Sequence, residues 1–123
     1  MTTCLIRYVL DPAKTTEFEH YGRLWIKLIE KFGGTHHGYF LPGEGPPAAF
    51  SFPGVGSPGP TNIAIALFSF PDIAAYEHYR QSAAHDDAAR AATAYFQETK
   101  CFLSYERSFL RPLSPHAEKS API

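Results

Sequence analysis

The most informative hydrophobic pattern runs from Asn62 to Phe70, where a predicted strand carries apolar side chains on both faces. One face would carry Ile63, Ile65 and Leu67, and the other Ala64, Ala66, Phe68 and Phe70. A sheet in a chain this short can usually cover only one face with its own helices, so the second apolar face needs another cover. We expect that cover to be a second copy of the chain.

The clearest helical pattern follows Asp11-Pro12, because apolar residues there recur every three or four positions. The members of this stripe are Phe18, Tyr21, Leu24, Trp25, Leu28, Ile29 and Phe32. Gly33 and Gly34 supply the predicted stop. Further strands are predicted over 3–10, 35–41 and 102–110, and helices from Pro71-Asp72 and over about 86–99.

The predicted order is strand, helix, strand, strand, helix pair, strand, which is typical of the split βαβ, ferredoxin-like arrangement. We therefore predict an α+β fold with a four-stranded antiparallel sheet and helices on one face. Two such sheets would pair through their open faces into a dimeric α+β barrel. The domain is expected to span 1–113, with a frayed tail over 114–123.

A long connection over 42–60 contains six prolines and five glycines. Since proline cannot donate to a ladder, this segment cannot be a central strand. It could be an ordered flap over a pocket or a partner, although a mobile surface hairpin is the favoured interpretation. An interaction protein that docks a partner through this loop is one functional alternative.

Composition excludes several classes of protein. Eleven Lys and Arg against twelve Asp and Glu give a net charge of -1, which argues against nucleic acid or an anionic membrane as a partner. No run reaches the roughly 18 apolar residues of a membrane span. The amino terminus lacks signal-peptide features, so we expect a cytoplasmic protein in which Cys4 and Cys101 are reduced.

Several segments carry a family resemblance. Four segments carry it, and they follow one another along the chain. They are the stretch Tyr8-Val9-Leu10-Asp11-Pro12-Ala13-Lys14, the Trp25 helix ending near Gly33-Gly34, the Leu67-Phe68-Ser69-Phe70-Pro71-Asp72 turn and the helix Ala75-Tyr76-Glu77-His78-Tyr79-Arg80. Together they resemble the NIPSNAP family of the dimeric α+β barrel superfamily. The resemblance implies a dimer formed through the open sheet face and a pocket between sheet and helices. Some members of the superfamily are cofactor-independent monooxygenases, and others act on haem.

One position departs from the resembled pattern. The family usually places an arginine two residues before the tyrosine of the first strand, where this chain has Ile6. Arg7 would face the opposite way, because alternate strand residues point to opposite faces.

Candidate chemistry is sparse. His36 and His37 are adjacent on a predicted strand, so each would point to a different face and the two cannot share a metal. We predict no metal site and no cofactor. One of the two could be a pocket base, and we assign that role to His37, although a solvated strand-end histidine remains the alternative.

The second helix places Tyr76 and Arg80 four residues apart, on one face with Tyr79 nearby. Arg80 could hold a carboxylate or a phenolate beside an aromatic wall, or it could be a surface arginine in an ion pair. On the last strand, Tyr105 shares a face with Arg107, while Glu106 faces the other way. Glu106 could pair with Arg7 or act as a base of raised pKa.

The sequence therefore predicts a small homodimer that binds an apolar or aromatic molecule between sheet and helices. The predicted binding residues are Tyr8, Trp25, Tyr76, Tyr79, Arg80 and Tyr105. The alternatives are a cofactor-independent monooxygenase acting on an aromatic substrate, with His37 as base, and the non-enzymatic interaction protein. The sequence contains no phosphate loop, serine nucleophile elbow or paired-cysteine motif.

Overall fold

The computed structural model describes residues 1–46 and 54–113, which form one four-stranded sheet and three α-helices. The strands are β1 (Thr2–Leu10), β2 (Thr35–Phe40), β3 (Ile63–Phe70) and β4 (Phe102–Leu110), and the helices are α1 (Thr15–Lys31), α2 (Ile73–Ala83) and α3 (Asp87–Thr99). The predicted α+β class and the order of the elements are confirmed. The predicted tail, 114–123, and the centre of the Pro- and Gly-rich connection, 47–53, lie outside the described residues.

The sheet has the order β2-β3-β1-β4, with every neighbouring pair antiparallel. β1 and β3 are therefore central, and β2 and β4 are the two edges. This order is the ferredoxin-like arrangement that the sequence predicts. Tyr8 of β1 lies opposite Ala64 of β3 on one side and opposite Tyr105 of β4 on the other.

One face of the sheet packs against the helices and holds the hydrophobic core. Its members on the two central strands are Cys4, Ile6, Tyr8, Leu10, Ala64, Ala66, Phe68 and Phe70, all of them buried. From α1, Phe18 and Ile29 are 0% and 1% exposed. Burial of each large apolar side chain contributes roughly 1.5–3 kcal/mol, so this face accounts for most of the cohesion between sheet and helices.

Short polar side chains start the second and third helices. Asp72 accepts a hydrogen bond from the Ala75 amide at 2.8 Å, and Asp86 accepts one from the Ala89 amide at 3.0 Å. Each carboxylate satisfies a backbone donor that the first turn of a helix leaves free. Asp86 also forms an ion pair of 2.6 Å with Lys31, which links the end of α1 to the start of α3.

Gly34 permits a close approach where the chain leaves α1 and enters β2. A Cβ atom at this position would lie 2.8 Å from Ile29 Cγ2 and 2.8 Å from Phe70 Cζ, closer than any real van der Waals contact. Only glycine therefore lets the chain pass between the helix and the sheet here without a shift of both.

The other face of the sheet, which we call the open face, faces away from the helices. Its apolar side chains on the central strands are partly exposed, and they are Leu5, Val9, Ile63, Ile65 and Leu67. Phe40 and Leu110, on the two edges, are 54% and 46% exposed. The predicted second apolar face of β3 therefore exists.

Candidate functional site

A cavity of about 520 Å³ lies between the sheet and the helices. Ten of its eighteen lining residues are Phe, Tyr or Trp. The volume is in the range of small-molecule sites, and such sites are mostly apolar with a few polar groups. Leu103 and Tyr105 of the edge strand β4 are 65% and 52% exposed, so solvent reaches the cavity along this edge.

The structure brings together every residue that the sequence predicts as a binding residue. Those that line the cavity are Tyr8, Trp25, Tyr76, Tyr79, Arg80 and Tyr105. They come from β1, α1, α2 and β4, so no local stretch of sequence forms the site by itself. Their binding role stays a prediction.

The predicted pocket base, His37, does not line the cavity, and His36 occupies that place instead. A regular strand would put His37 on the same face as Tyr39, which does line the cavity. However, the register of β2 shifts between His36 and Gly38, and Gly38 has a φ of 110° that favours glycine. The resulting β-bulge reverses the two histidines relative to the rest of the strand.

His37 instead belongs to a hydrogen-bonded chain on the open face. Its Nε2 lies 2.8 Å from Ser69 Oγ, and that hydroxyl lies 2.8 Å from Thr3 Oγ1. Ser69 is 2% exposed, so a substrate cannot reach its hydroxyl. The hydrogen bonds of Ser69 therefore link β1, β2 and β3, and its buried hydroxyl cannot act as a nucleophile.

Tyrosines form most of the aromatic wall of the cavity. The ring of Tyr8 packs edge-on against Phe18 and Phe102, with centroids 5.0 and 4.9 Å apart. Burial raises the pKa of Tyr21 and of Tyr79 to about 12, with Arg80 lowering the latter in part. These phenols stay protonated at neutral pH, so they can donate hydrogen bonds to a ligand.

Arg107 is a cavity residue that the sequence analysis placed beside Tyr105 but did not assign to the site. Its Nη1 donates to the Tyr76 hydroxyl at 3.3 Å, and its guanidinium lies 5.7 Å from the centroid of the Tyr105 ring. In the sheet Arg107 pairs directly with Ile6, the position where the resembled pattern has its arginine. β4 thus brings the guanidinium of Arg107 to the helix-facing side of the sheet, next to β1, which has no arginine on that side.

Glu106 and Arg7 are opposite each other in the register of β1 and β4, as predicted, and they lie on the open face. Their side chains form no ion pair with each other. Among the described residues, the one ion pair joins Lys31 and Asp86. Glu106 is exposed and does not line the cavity. A base of raised pKa within the cavity is therefore not available from Glu106.

The two cysteines are free and buried. Burial raises the pKa of the Cys4 thiol, partly offset by Arg107 and Arg80, and it also raises the pKa of the Cys101 thiol. Neither is an activated thiolate. Within residues 1–46 and 54–113, no group of three or more His, Cys, Asp or Glu side chains is arranged to hold a metal, and no helix is long and apolar enough to span a membrane.

The residues missed by sequence reasoning are chiefly His36, Tyr39 and Arg107. Alternation along β4 already put Arg107 on the same face as Tyr105, so that signal was present in the sequence. For β2, Gly38 was the one local sign of a bulge, since glycine inside a strand often marks such an irregularity.

The comparisons with known proteins agree with this fold. The model of the NIPSNAP family matches residues 3–115. A NIPSNAP domain protein from Burkholderia xenovorans, described as uncharacterized, aligns with a TM-score of 0.68 and 16% identity over 94% of this chain and 97% of that chain. A NIPSNAP family protein of unknown function from Agrobacterium tumefaciens gives 0.68 and 15% identity over 94% and 92%.

A structure from outside these NIPSNAP proteins shares the fold as well. It is a proposed antibiotic biosynthesis monooxygenase from Nitrosomonas europaea, with a TM-score of 0.61 and 8% identity over 93% of this chain and 100% of that chain. At this identity the likeness concerns the fold alone. Among curated proteins, none matches the sequence. Because the family model spans nearly all of the sheet and helices described above, the chain belongs to the NIPSNAP family.

Proposed function

We propose that this protein is a homodimer that binds a small apolar or aromatic molecule in the cavity between its sheet and helices. The observation that supports this most strongly is the lining of the cavity, in which ten of eighteen residues are aromatic. A solvent-reachable cavity of about 520 Å³ lined by aromatic rings and a few polar groups is typical of a small-molecule site.

Trp25 provides a direct reporter for this proposal. It is the single tryptophan of the chain, and it lines the cavity. Titration with 2-naphthamide, an uncharged planar aromatic, should change the emission of Trp25 in a saturable way, and calorimetry should give a matching affinity. Absence of both saturable quenching and binding heat would contradict the proposal.

A pair of variants on α3 tests the location of the bound molecule. Thr93 and Ala94 are neighbouring exposed residues, but only Thr93 lines the cavity. Thr93→Phe should weaken binding of 2-naphthamide because its ring takes up cavity space, whereas Ala94→Phe should bind as the wild type does. Equal weakening by both variants would place the ligand elsewhere.

The homodimer is proposed from the open face. Its central apolar side chains remain partly exposed in the protomer, and burial of such area in a second copy would be favourable. Leu67→Lys, opposite Leu5 in the register, should convert the protein to a monomer in sedimentation velocity at micromolar concentration. Ile73→Lys is the matched control, since Ile73 is 62% exposed on α2, away from this face. A wild-type monomer, or a Leu67→Lys dimer, would contradict the proposed interface.

A cofactor-independent monooxygenase is the second candidate, and the shared fold of the Nitrosomonas protein is the observation in its favour. Such chemistry needs a base that removes a proton from the aromatic substrate. The lone pair on His36 Nδ1 already accepts a hydrogen bond from the Gly38 amide, and no Asp or Glu lines the cavity. Binding therefore accounts for the described residues better. Oxygen consumption with anthrone, an aromatic ketone with an acidic C–H bond, would reverse this preference.

A further inference from the structure

Three nitrogen atoms of cavity-lining side chains are buried without a hydrogen-bond partner among the described residues. They are Trp25 Nε1, His36 Nε2 and Arg107 Nε. A buried polar atom without a partner costs roughly 1–3 kcal/mol, and native structures contain few of them. Trp25 Nε1 lies near the Tyr21 hydroxyl, so His36 Nε2 and Arg107 Nε are the two atoms that most need a partner, and either water or a ligand in the cavity could supply it.

All three atoms are donors. An indole nitrogen and a guanidinium Nε each carry a hydrogen and accept nothing. For His36, the Gly38 amide donates to Nδ1 at 2.9 Å, so the neutral ring carries its proton on Nε2. Burial, with a smaller contribution from the charge of His37, lowers the pKa of His36 to about 4, so the ring is neutral at pH 7. The ligand must therefore supply acceptors.

Arg107 adds a specific geometry to this requirement. Nη1 donates to the Tyr76 hydroxyl, and the buried Nε has no partner among the described residues, so a ligand reaches the edge formed by Nε and Nη2 only when neighbouring side chains move apart. Two parallel N–H groups on one edge of a guanidinium match the two oxygens of a carboxylate. The contact with Tyr76 and the ring of Tyr105 hold this edge in place.

The charges around the cavity also favour a ligand that carries hydrogen-bond acceptors. Arg80 and Arg107 both line it, and none of its eighteen lining residues is Asp or Glu. Glu106, next to Arg107 in the chain, lies on the opposite face of the sheet. Arg80 is exposed, but Arg107 is partly buried and has no counter-ion among the described residues, and an anionic ligand would relieve the cost of that burial.

We propose that the ligand is an aromatic carboxylate, whose ring lies among the cavity tyrosines and whose carboxylate binds the Nε and Nη2 edge of Arg107, with His36 Nε2–H as a further donor. This inference rests on the proposed function and adds the class of ligand. An aromatic phenolate shares the negative oxygen but offers only one acceptor atom to the guanidinium edge, so the experiment includes it.

The test compares ligands of one shape in calorimetric titrations at pH 7, with Trp25 emission as the cavity reporter. The probes are 2-naphthoate, its uncharged analogue 2-naphthamide, and a 2-naphthol with ring substituents acidic enough to ionise at pH 7. We expect 2-naphthoate to bind about ten times or more tightly than 2-naphthamide, because hydrogen bonds to charged groups are the stronger ones. The phenolate should fall between them.

Variants then assign the preference to Arg107. Arg107→Met should weaken 2-naphthoate by about tenfold to a hundredfold and leave 2-naphthamide within about twofold. Arg107→Lys, which keeps the charge but loses the planar edge, should recover part of the loss. Arg111→Met is the matched control, since Arg111 is exposed just beyond β4 and does not line the cavity.

The outcomes separate this inference from the proposed function. If 2-naphthamide and 2-naphthoate bind equally well, the cavity binds aromatics but the carboxylate assignment is wrong. If the phenolate binds more tightly than the carboxylate, the assignment is also wrong. If none of the probes binds, both the inference and the proposed function are overturned. The comparison of probes on the wild-type protein decides these cases even if Arg107→Met fails to fold.

Discussion

The neutral state of His36 predicts a specific acid sensitivity of the fold. Burial, together with the nearby charge of His37, lowers the pKa of His36 from 6.5 to about 4. Protonation would place a cation beside the aromatic rings of Tyr39 and Phe68, 5.1 and 5.7 Å away between centroids. It would also remove the lone pair on Nδ1 that accepts the Gly38 amide. The folded protein therefore resists protonation of this ring.

The direction and size of the change in unfolding free energy follow from the difference in the pKa of His36 between the folded and the unfolded chain. As pH falls through 6.5, His36 of the unfolded chain binds a proton, while the folded state does not bind it until about pH 4. The free energy of unfolding therefore decreases with falling pH across this window and is unaffected above it. For such a shift the loss at pH 5 is about 2 kcal/mol.

His36→Asn isolates this effect, because the asparagine oxygen can accept the Gly38 amide where Nδ1 does and cannot be protonated in this range. Urea denaturation at pH 7 and pH 5, at one protein concentration, gives the free energy of unfolding of each protein. Wild type should lose about 2 kcal/mol more than His36→Asn between the two pH values.

His85→Gln is the control, since His85 is exposed outside the cavity, and it should retain the wild-type pH dependence. If wild type and His36→Asn lose equal stability between pH 7 and pH 5, the depressed pKa of His36 is refuted. An NMR titration of the His36 ring with a midpoint near 6.5 would refute it independently.

Three further substitutions test the packing described above, each by chemical denaturation. Gly34→Ala should cost about 1–3 kcal/mol, since its Cβ would overlap α1 and β3. Gly45→Ala should change little, since no atom of residues 1–46 and 54–113 other than those of its chain neighbours lies within 4 Å of the added Cβ, and similar costs for both variants would contradict the close approach. Ser69→Ala should cost about 1–3 kcal/mol by breaking a buried hydrogen bond to Thr3 and a partly buried one to His37, while Ser108→Ala, exposed on the same face, should be near neutral. Asp72→Ala should cost about 1 kcal/mol through loss of the α2 cap, and an unchanged midpoint would show that the cap contributes nothing.

The order of helices and strands was predictable because it depends on local sequence patterns. The apolar stripe of α1 and the Asp72 cap of α2 are encoded within single turns of helix. The two apolar faces of β3 follow from strict alternation along one strand, but only the structure shows that the helices bury the face of Ala64 and Phe68 and leave Ile65 partly exposed. The family resemblance rests on these same segments, and the match over residues 3–115 confirms it.

The composition of the site depended on relations that no single segment contains. Trp25 was predicted on the apolar stripe of α1, Tyr79 in an aromatic wall beside Arg80, and Tyr105 on the same face of the last strand as Arg107. Arg107 acquires its place only when β4 pairs with β1, which sets it opposite Ile6 and within reach of the Tyr76 hydroxyl. Pairing register is a property of two strands, so the sequence of one cannot supply it.

The sequence by itself determined the order of elements, the faces of the central strands and the aromatic character of the cavity, because these follow from the 3.6-residue and two-residue periods of helix and strand. Tertiary structure decided which histidine enters the cavity. The bulge at Gly38 adds one residue to β2 relative to β3, which exchanges the faces of His36 and His37 and leaves the local composition unchanged. The bulge also brings the Gly38 amide to His36 Nδ1. Because Nδ1 accepts this hydrogen bond, the neutral ring carries its proton on Nε2 and is a donor there.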